Sequence, residues 1–173
     1  LGYARGLAEA AMRAGARIHG RTPVRSVSPS GSGWAVRTDS GIVTADRLVL
    51  CTNGYTDGLW PSLRKTVVPV FSGIVASEPL NQEQSSLILP GRPSVYEIGS
   101  ITTYYRVDET GRLLIGGRSV LSSQSGPEKF EPLSRYARKL WPGLSDRKWT
   151  HGWNGRVAVT TDYLPHFHEP AIG

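Results

Sequence analysis

Residues 104–117 read YYRVDETGRLLIGG. Two runs of strand-forming residues flank the turn cluster Asp108-Glu109-Thr110-Gly111. The first run reaches back to Tyr96 and ends at Val107; the second covers Leu113 to Gly117. Two antiparallel strands are therefore predicted, and with them a sheet that is not wound in parallel. On the first strand Tyr104 and Arg106 alternate onto one face.

Working outward from this hairpin, Thr66 to Ser77 is a long β-branched stretch interrupted by Pro69. On the C-terminal side Phe130, Leu133, Tyr136, Ala137 and Leu140 recur at helical spacing, and Trp141-Pro142-Gly143 closes that helix. Lys148 to Thr161 is again strand-like. The N-terminal part has a different texture. Tyr3, Leu7, Ala10, Ala11 and Ala14 form a helical stripe stopped by Gly15, and its alanines predict close packing on a sheet. Ala16 to His19 reads as a short strand, Val24 and Val27 as extended chain, and residues 28–33 as a loop. Trp34 to Thr38, the turn Asp39-Ser40-Gly41, and Ile42 to Thr44 give a second hairpin.

One further stretch, RLVLCTNGYTDGLWP at residues 47–61, joins the two parts. Its apolar run, Leu48 to Cys51, suits a strand buried on both faces, with Cys51 a small buried hydrophobe. The run stops at Thr52-Asn53-Gly54. Ligands of covered α/β sheets sit beyond such strand ends, and Gly54 permits backbone angles other residues resist. Trp60 can add a flat wall. An ordinary strand-to-loop turn explains the same residues equally well.

Composition narrows the function. The chain has 173 residues, with 20 Lys and Arg against 14 Asp and Glu, a net charge of +6. The basic residues are scattered rather than clustered, which disfavours nucleic acid as a partner. No apolar run approaches membrane-spanning length. The single cysteine excludes internal disulfides and fits a reducing, cytoplasmic setting. His166, His168 and His151 lack carboxylates at a familiar ligand spacing, so no metal is expected. No G-x-G-x-x-G follows a strand, and no phosphate-binding loop is present.

Several motifs occur in a recognisable order: Tyr3-Ala4-Arg5-Gly6-Leu7, Gly15-Ala16-Arg17-Ile18, Thr22-Pro23-Val24, and Leu48 to Thr56. Leu59-Trp60-Pro61, Val68-Pro69-Val70, Glu78-Pro79-Leu80, Tyr104-Tyr105-Arg106 and Gly111 to Gly117 continue it. Together they resemble the D-amino-acid-oxidase-like flavoproteins, closest to the gamma-glutamylputrescine and glycine/sarcosine oxidase branch. Each motif alone is weak; the collinear order carries the resemblance across essentially the whole chain. Cys51 and Ser77 depart from it, standing where Ala and Thr are expected.

The resemblance implies an α/β fold of the mixed α+β kind: a largely antiparallel substrate-domain sheet with flanking helices, plus part of an FAD-binding domain. It implies a partial FAD-binding domain over residues 1–61, a substrate-binding domain over 62–150, and a return segment over 151–173. It further implies an FAD-dependent enzyme that oxidises the C–N bond of an amine or amino acid to an imine, with oxygen as acceptor. The rival expectation is a small-molecule-binding module that has lost the flavin. Family members carry a dinucleotide fingerprint ahead of this region and a glycine-rich segment after it. The chain is thus expected to be an internal part of a larger oxidase, inactive and without FAD by itself, and to self-associate near Leu48 to Trp60. By the same resemblance Val24 meets the adenine end of FAD, and Thr52, Asn53 and Gly54 line the flavin with Trp60 nearby. Tyr104 and Arg106 line the substrate pocket. Arg156 falls at a substrate-carboxylate position. The residues themselves leave plainer readings open: a core valine at 24, a packed sheet aromatic at 104, a surface arginine at 156.

Overall fold

Asp108 is what makes the central hairpin turn. In the computed structural model its Oδ1 accepts hydrogen bonds from Thr110 N at 2.9 Å, Thr110 Oγ1 at 2.8 Å and Arg112 N at 3.0 Å. Burial pushes its carboxyl pKa up, but the bonds from Arg112 and Thr110 outweigh that and hold it below the ordinary aspartate value. Gly111 completes the turn at φ 79°, a left-handed angle that costs glycine little. Strands β6 (Thr103–Val107) and β7 (Arg112–Arg118) then pair antiparallel, with Tyr105 opposite Ile115 and Val107 opposite Leu113.

The structure describes residues 2–99, 102–119, 122–160, 162, 164–167 and 169. They fall into two compact units, residues 1–51 with 57–61, and residues 52–56 with 62–173.

The larger unit is built on a five-stranded sheet in the order β5-β6-β7-β4-β8, every neighbour antiparallel. Its other strands are β4 (Pro69–Pro79), β5 (Val95–Glu97) and β8 (Trp149–Ala158). The single strand expected from Tyr96 to Val107 is instead two, β5 and β6, folded back on each other with Tyr96 opposite Tyr104. Gly99 follows Glu97-Ile98 between the two strands; residues 100 and 101 lie outside the described part. Alternate residues of the central strands, Val75, Leu113 and Ile115, are fully buried on one face. Phe130, Ala137 and Leu144 cover them from a 3-10 turn (Pro127–Phe130), the helix Glu131–Leu140 and a second 3-10 turn (Pro142–Leu144). The predicted helix and its stop at Trp141-Pro142-Gly143 match this element. On the same face Glu97 accepts from the hydroxyls of Tyr105 at 2.8 Å and Tyr136 at 2.6 Å. Burial and then the Glu97 carboxylate push the Tyr105 phenol up to about 12, so it stays protonated and keeps donating.

Ser77, the departure noted in the sequence, sits fully buried where the β4 register shifts. Its hydroxyl accepts from Leu113 N at 3.1 Å and donates to Glu78 O at 2.6 Å, replacing ladder bonds the bulge removes. A short helix over Gln82–Leu87, absent from the sequence reading, is capped reciprocally by Asn81 and Gln84. The N-x-x-Q spacing was its legible signal.

The smaller unit holds the second predicted hairpin within a three-stranded sheet, β1 (Val24–Ser30), β2 (Gly33–Thr38) and β3 (Gly41–Ala45), in that order. The loop expected over 28–33 is mostly strand. β1 continues to Ser30, and only Gly31-Ser32 turn. Pro29 is tolerated because β1 is an edge strand, where its missing N–H costs no ladder bond.

Three expectations fail in this unit. The helix Gly2–Arg13 forms, but among the described residues it fully buries none of its own, and Ala8 and Ala11 are only half-buried. Ala16 to His19 is irregular, with Ile18 exposed. Arg47 to Cys51 is also irregular rather than a doubly covered strand; Val49 is 79% exposed and Cys51 is exposed, not buried. For the two expected strands the reason is the same. A strand persists only when a neighbour satisfies its N–H and C=O groups, and among the described residues no strand pairs with either segment. Among the described residues no helix is long and apolar enough to cross a membrane.

Candidate functional site

The pairing register decides which side chains can meet. Tyr104 lies opposite Gly116, Gly116 opposite Ile74, and Ile74 opposite Trp153. Paired residues of antiparallel strands share a face, so this row lies on the face away from the Phe130 core. Arg106, Leu114 and Ala76 form the next row on the same face, and Arg118, Ser72 and Gly155 the row on the other side. Trp153 is 42% exposed, Tyr96 is exposed, and Ile74, Ser72 and Tyr104 are half-buried. This face is open.

Tyr104 lies flat across it because residue 116 is glycine. A Cβ there would fall inside the Tyr104 ring, nearest its Cε2, Cζ and hydroxyl. The ring thus reaches over β7 to β4, where its hydroxyl meets Ser72 Oγ at 2.7 Å. Gly116→Ala is therefore expected to evict the ring and break the Ser72 contact while leaving the core face intact. Loss of the Tyr104 hydroxyl–Ser72 pair in a crystal structure of the variant, at near-wild-type thermal stability, checks this; an unmoved ring contradicts it.

Arg156 is not part of this face. It lies opposite Phe71, one step out of phase with the Ile74–Trp153 row, so the register places it on the other side of the sheet from Tyr104. The sequence reading put both in one pocket; the two-residue period of β8 separates them. Arg156 instead stacks its guanidinium over the Tyr55 ring, 5.0 Å from the centroid. Its Nε is buried and has no hydrogen-bond partner among the described residues.

The Thr52-Asn53-Gly54 corner docks on the outer edge of β8. Asn53 takes a left-handed φ of 47°, which asparagine tolerates better than most residues. Its Oδ1 accepts from Gly54 N and from Ala158 N, both at 2.7 Å. The Tyr55 hydroxyl accepts from Arg156 N at 3.2 Å. Two outward N–H groups of an edge strand are thereby satisfied. Gly54 is buried, and a Cβ on it would meet Arg156 C at 2.6 Å and Val157 N at 2.7 Å. Thr52 Oγ1 pairs with Thr56 Oγ1 at 2.6 Å. The other cofactor candidates belong to the smaller unit. Val24 opens β1, opposite Thr38 and 39% exposed, and Trp60 packs on Trp34 with centroids 5.8 Å apart.

Ser72, Trp153, Tyr55 and Arg118 were not singled out from the sequence. Period-two alternation outward from Tyr104 would have marked the partners on its face only if the pairing register had been known. Among the described residues no group of three His, Cys, Asp or Glu side chains comes together; His168 lies outside them.

Does this chain fit a flavin? The corner is small, rigid and polar, with its side-chain oxygens already held by the protein. It suits the rim of a flat ring system through its backbone. It is no cradle by itself, because the space beside Gly54 is filled by β8.

A family model described as FAD dependent oxidoreductase matches residues 1–172. The chain is 33% identical over 168 residues to the probable oxidoreductase OrdL of Rhizobium meliloti (strain 1021), covering 97% of this chain and 39% of that protein. It is 26% identical to the gamma-glutamylputrescine oxidoreductase of Escherichia coli (strain K12), over 96% of this chain and 39% of that protein. Its fold superposes on glycine oxidase from Geobacillus kaustophilus with a TM-score of 0.72 at 24% identity, covering 96% of this chain and 44% of that one. The chain thus spans about two fifths of the length of the curated relatives it matches.

Proposed function

The chain belongs to the FAD dependent oxidoreductase family, and from that premise we propose that a protein carrying it oxidises the C–N bond of a small amine or amino acid to an imine, with oxygen as acceptor. The observation that carries this reading is the open sheet face on which Tyr104 lies flat over Gly116, hydrogen-bonded to Ser72, beside Trp153. Aromatic surface with a few fixed hydroxyls is what a small organic substrate needs for orientation. FAD, when bound, supplies the electron acceptor for the C–N oxidation. The chain's own residues then bind and orient. Thr52, Asn53 and Gly54 present their backbone to the ring edge. Tyr104 and Arg106 line the substrate side. Arg156 holds the corner against β8 rather than touching substrate. His151, opposite Ala76, also stands on this face, but this reading requires no general base because the substrate amine enters neutral.

The test uses the complete polypeptide that contains this chain. Purified protein is expected to show flavin absorbance, and amine addition without oxygen should bleach it. Tyr104→Ala should raise KM by about tenfold while the flavin stays bound, the loss typical of one aromatic contact with its hydrogen bond. A protein that stays colourless after FAD is supplied would sink the reading.

A further inference from the structure

A cavity of about 290 Å³ opens on the core side of the five-stranded sheet, away from the open face. Its floor is Ile88 and Val107, both buried, with Leu89 half-buried against the same core cluster. Val107 pairs with Leu113, which fixes the side of the sheet. The rim is polar. Arg92 and Gly91 stand on it, and Ser85 joins them from the short helix Gln82–Leu87. A Cβ on Gly91 would meet nothing within 4 Å, so the mouth is open there. Arg92 Nη1 donates to Asp108 O at 3.2 Å. Among the described residues its Nη2 and Nε make no hydrogen bond, the guanidinium has no ion pair, and Ser85 Oγ has no partner. Two residues of this loop hold left-handed backbone without being glycine, Leu89 at φ 51° and Arg92 at φ 54°. The bond from Arg92 N to Leu89 O, at 2.8 Å, closes the turn between them. Such angles are unfavourable for side chains of this size, and they collect where a loop holds a ligand.

We propose that this cavity is a second ligand site, separate from the open face, and that it takes a short alkyl carboxylate. The alkyl chain lies on Ile88, Leu89 and Val107, where it extends the core cluster and leaves water. The head meets Arg92, whose Nη2 and Nε form the fork that matches a carboxylate, and the Ser85 hydroxyl. The volume lies at the small end of the range for ligand sites, so the chain is short. Asp108 brings a negative charge of its own to the rim, and its Oδ1 is already taken by Thr110 and Arg112. That charge disfavours a doubly charged head such as a phosphate and leaves a single carboxylate as the better fit. Tyr104 and Trp153 lie on the other side of the sheet, so the site stands whether or not the oxidoreductase reading does.

The test is a chemical-shift titration of the 173-residue chain with hexanoate, hexan-1-ol and acetate, read at the methyl groups of Ile88 and Val107. Hexanoate is expected to shift both saturably and to bind at least about tenfold tighter than hexan-1-ol, the range for a charge-assisted contact. Acetate, which has the head without the chain, should bind at least about tenfold more weakly than hexanoate. Arg92→Asn removes the fork with a residue that tolerates left-handed backbone, and should bring hexanoate down to the level of hexan-1-ol. Ser85→Trp, at an exposed helix position, should fill the mouth and block both ligands while the melting temperature holds. A hexanoate preference that survives Arg92→Asn, or equal binding of hexanoate and hexan-1-ol, overturns the proposal. Binding that survives Ser85→Trp, or shifts confined to Trp153 on the open face, places the ligand elsewhere and overturns it too. So does a titration in which no ligand moves Ile88 or Val107.

Discussion

Phe130→Ala is expected to lower the unfolding free energy of the larger unit by about 3–5 kcal/mol, the range for removing a buried aromatic ring from a core. The ring is 3% exposed and lies across two adjacent strands. A Cβ on Gly73 would meet it at 2.7 Å, and one on Gly152 at 2.6 Å. Two glycines therefore form its seat, and neither offers a side chain to fill the vacated space on that side. The cavity term is expected in full for that reason. Phe130→Leu should cost less than half as much, because it refills part of the seat. Urea unfolding followed by tryptophan fluorescence measures both; the midpoint should move while the slope stays constant. A midpoint shift worth under about 1 kcal/mol would mean the ring does not anchor this sheet.

Gly54→Ala is the second large effect. The added methyl would press on the backbone of Arg156 and Val157, the first atom being 2.6 Å away. A strand backbone cannot rotate aside as a side-chain tip can, so the corner must lift off β8. Lifting it breaks the bonds from Ala158 N to Asn53 Oδ1 and from Arg156 N to the Tyr55 hydroxyl. Overpacking together with these losses is expected to cost about 2–4 kcal/mol. Hydrogen exchange should locate the damage: the amides of Arg156 and Ala158 should lose protection while Val75 and Leu113 keep theirs. Unchanged protection at Ala158 would show that the corner does not cap the strand. In the complete protein the same variant should weaken FAD retention, since the corner is proposed to carry the ring edge.

Local chemistry fixed most of what could be read without coordinates. Asp108 and Gly111 define a turn within a few residues, so the hairpin between β6 and β7 was legible. The 3.6-residue spacing from Phe130 to Leu140 and the proline after it marked the helix and its end. Asp39 and Ser40 did the same for the hairpin of the smaller unit. The collinear motifs placed the chain in its family without any geometry.

Pairing was not legible in this way, because it depends on partners far along the chain. Leu48 to Cys51 has the composition of a buried strand, yet an apolar run becomes one only when neighbours take its backbone bonds, and among the described residues none does. Arg156 and Tyr104 are 52 positions apart in sequence, and whether they share a pocket turns on the pairing of β4 with both β7 and β8. A shift of one residue in that register would put Arg156 on the open face in place of Val157. Gly54 and Gly116 show the same division. The sequence identified glycines beside polar and aromatic residues, but only the tertiary structure decided what fills the space each leaves. At Gly54 it is the backbone of β8, and at Gly116 the ring of Tyr104. Residue type and short-range spacing determine turns, helix ends and family. The face a side chain occupies is set by hydrogen-bond register between distant strands, which no local pattern encodes.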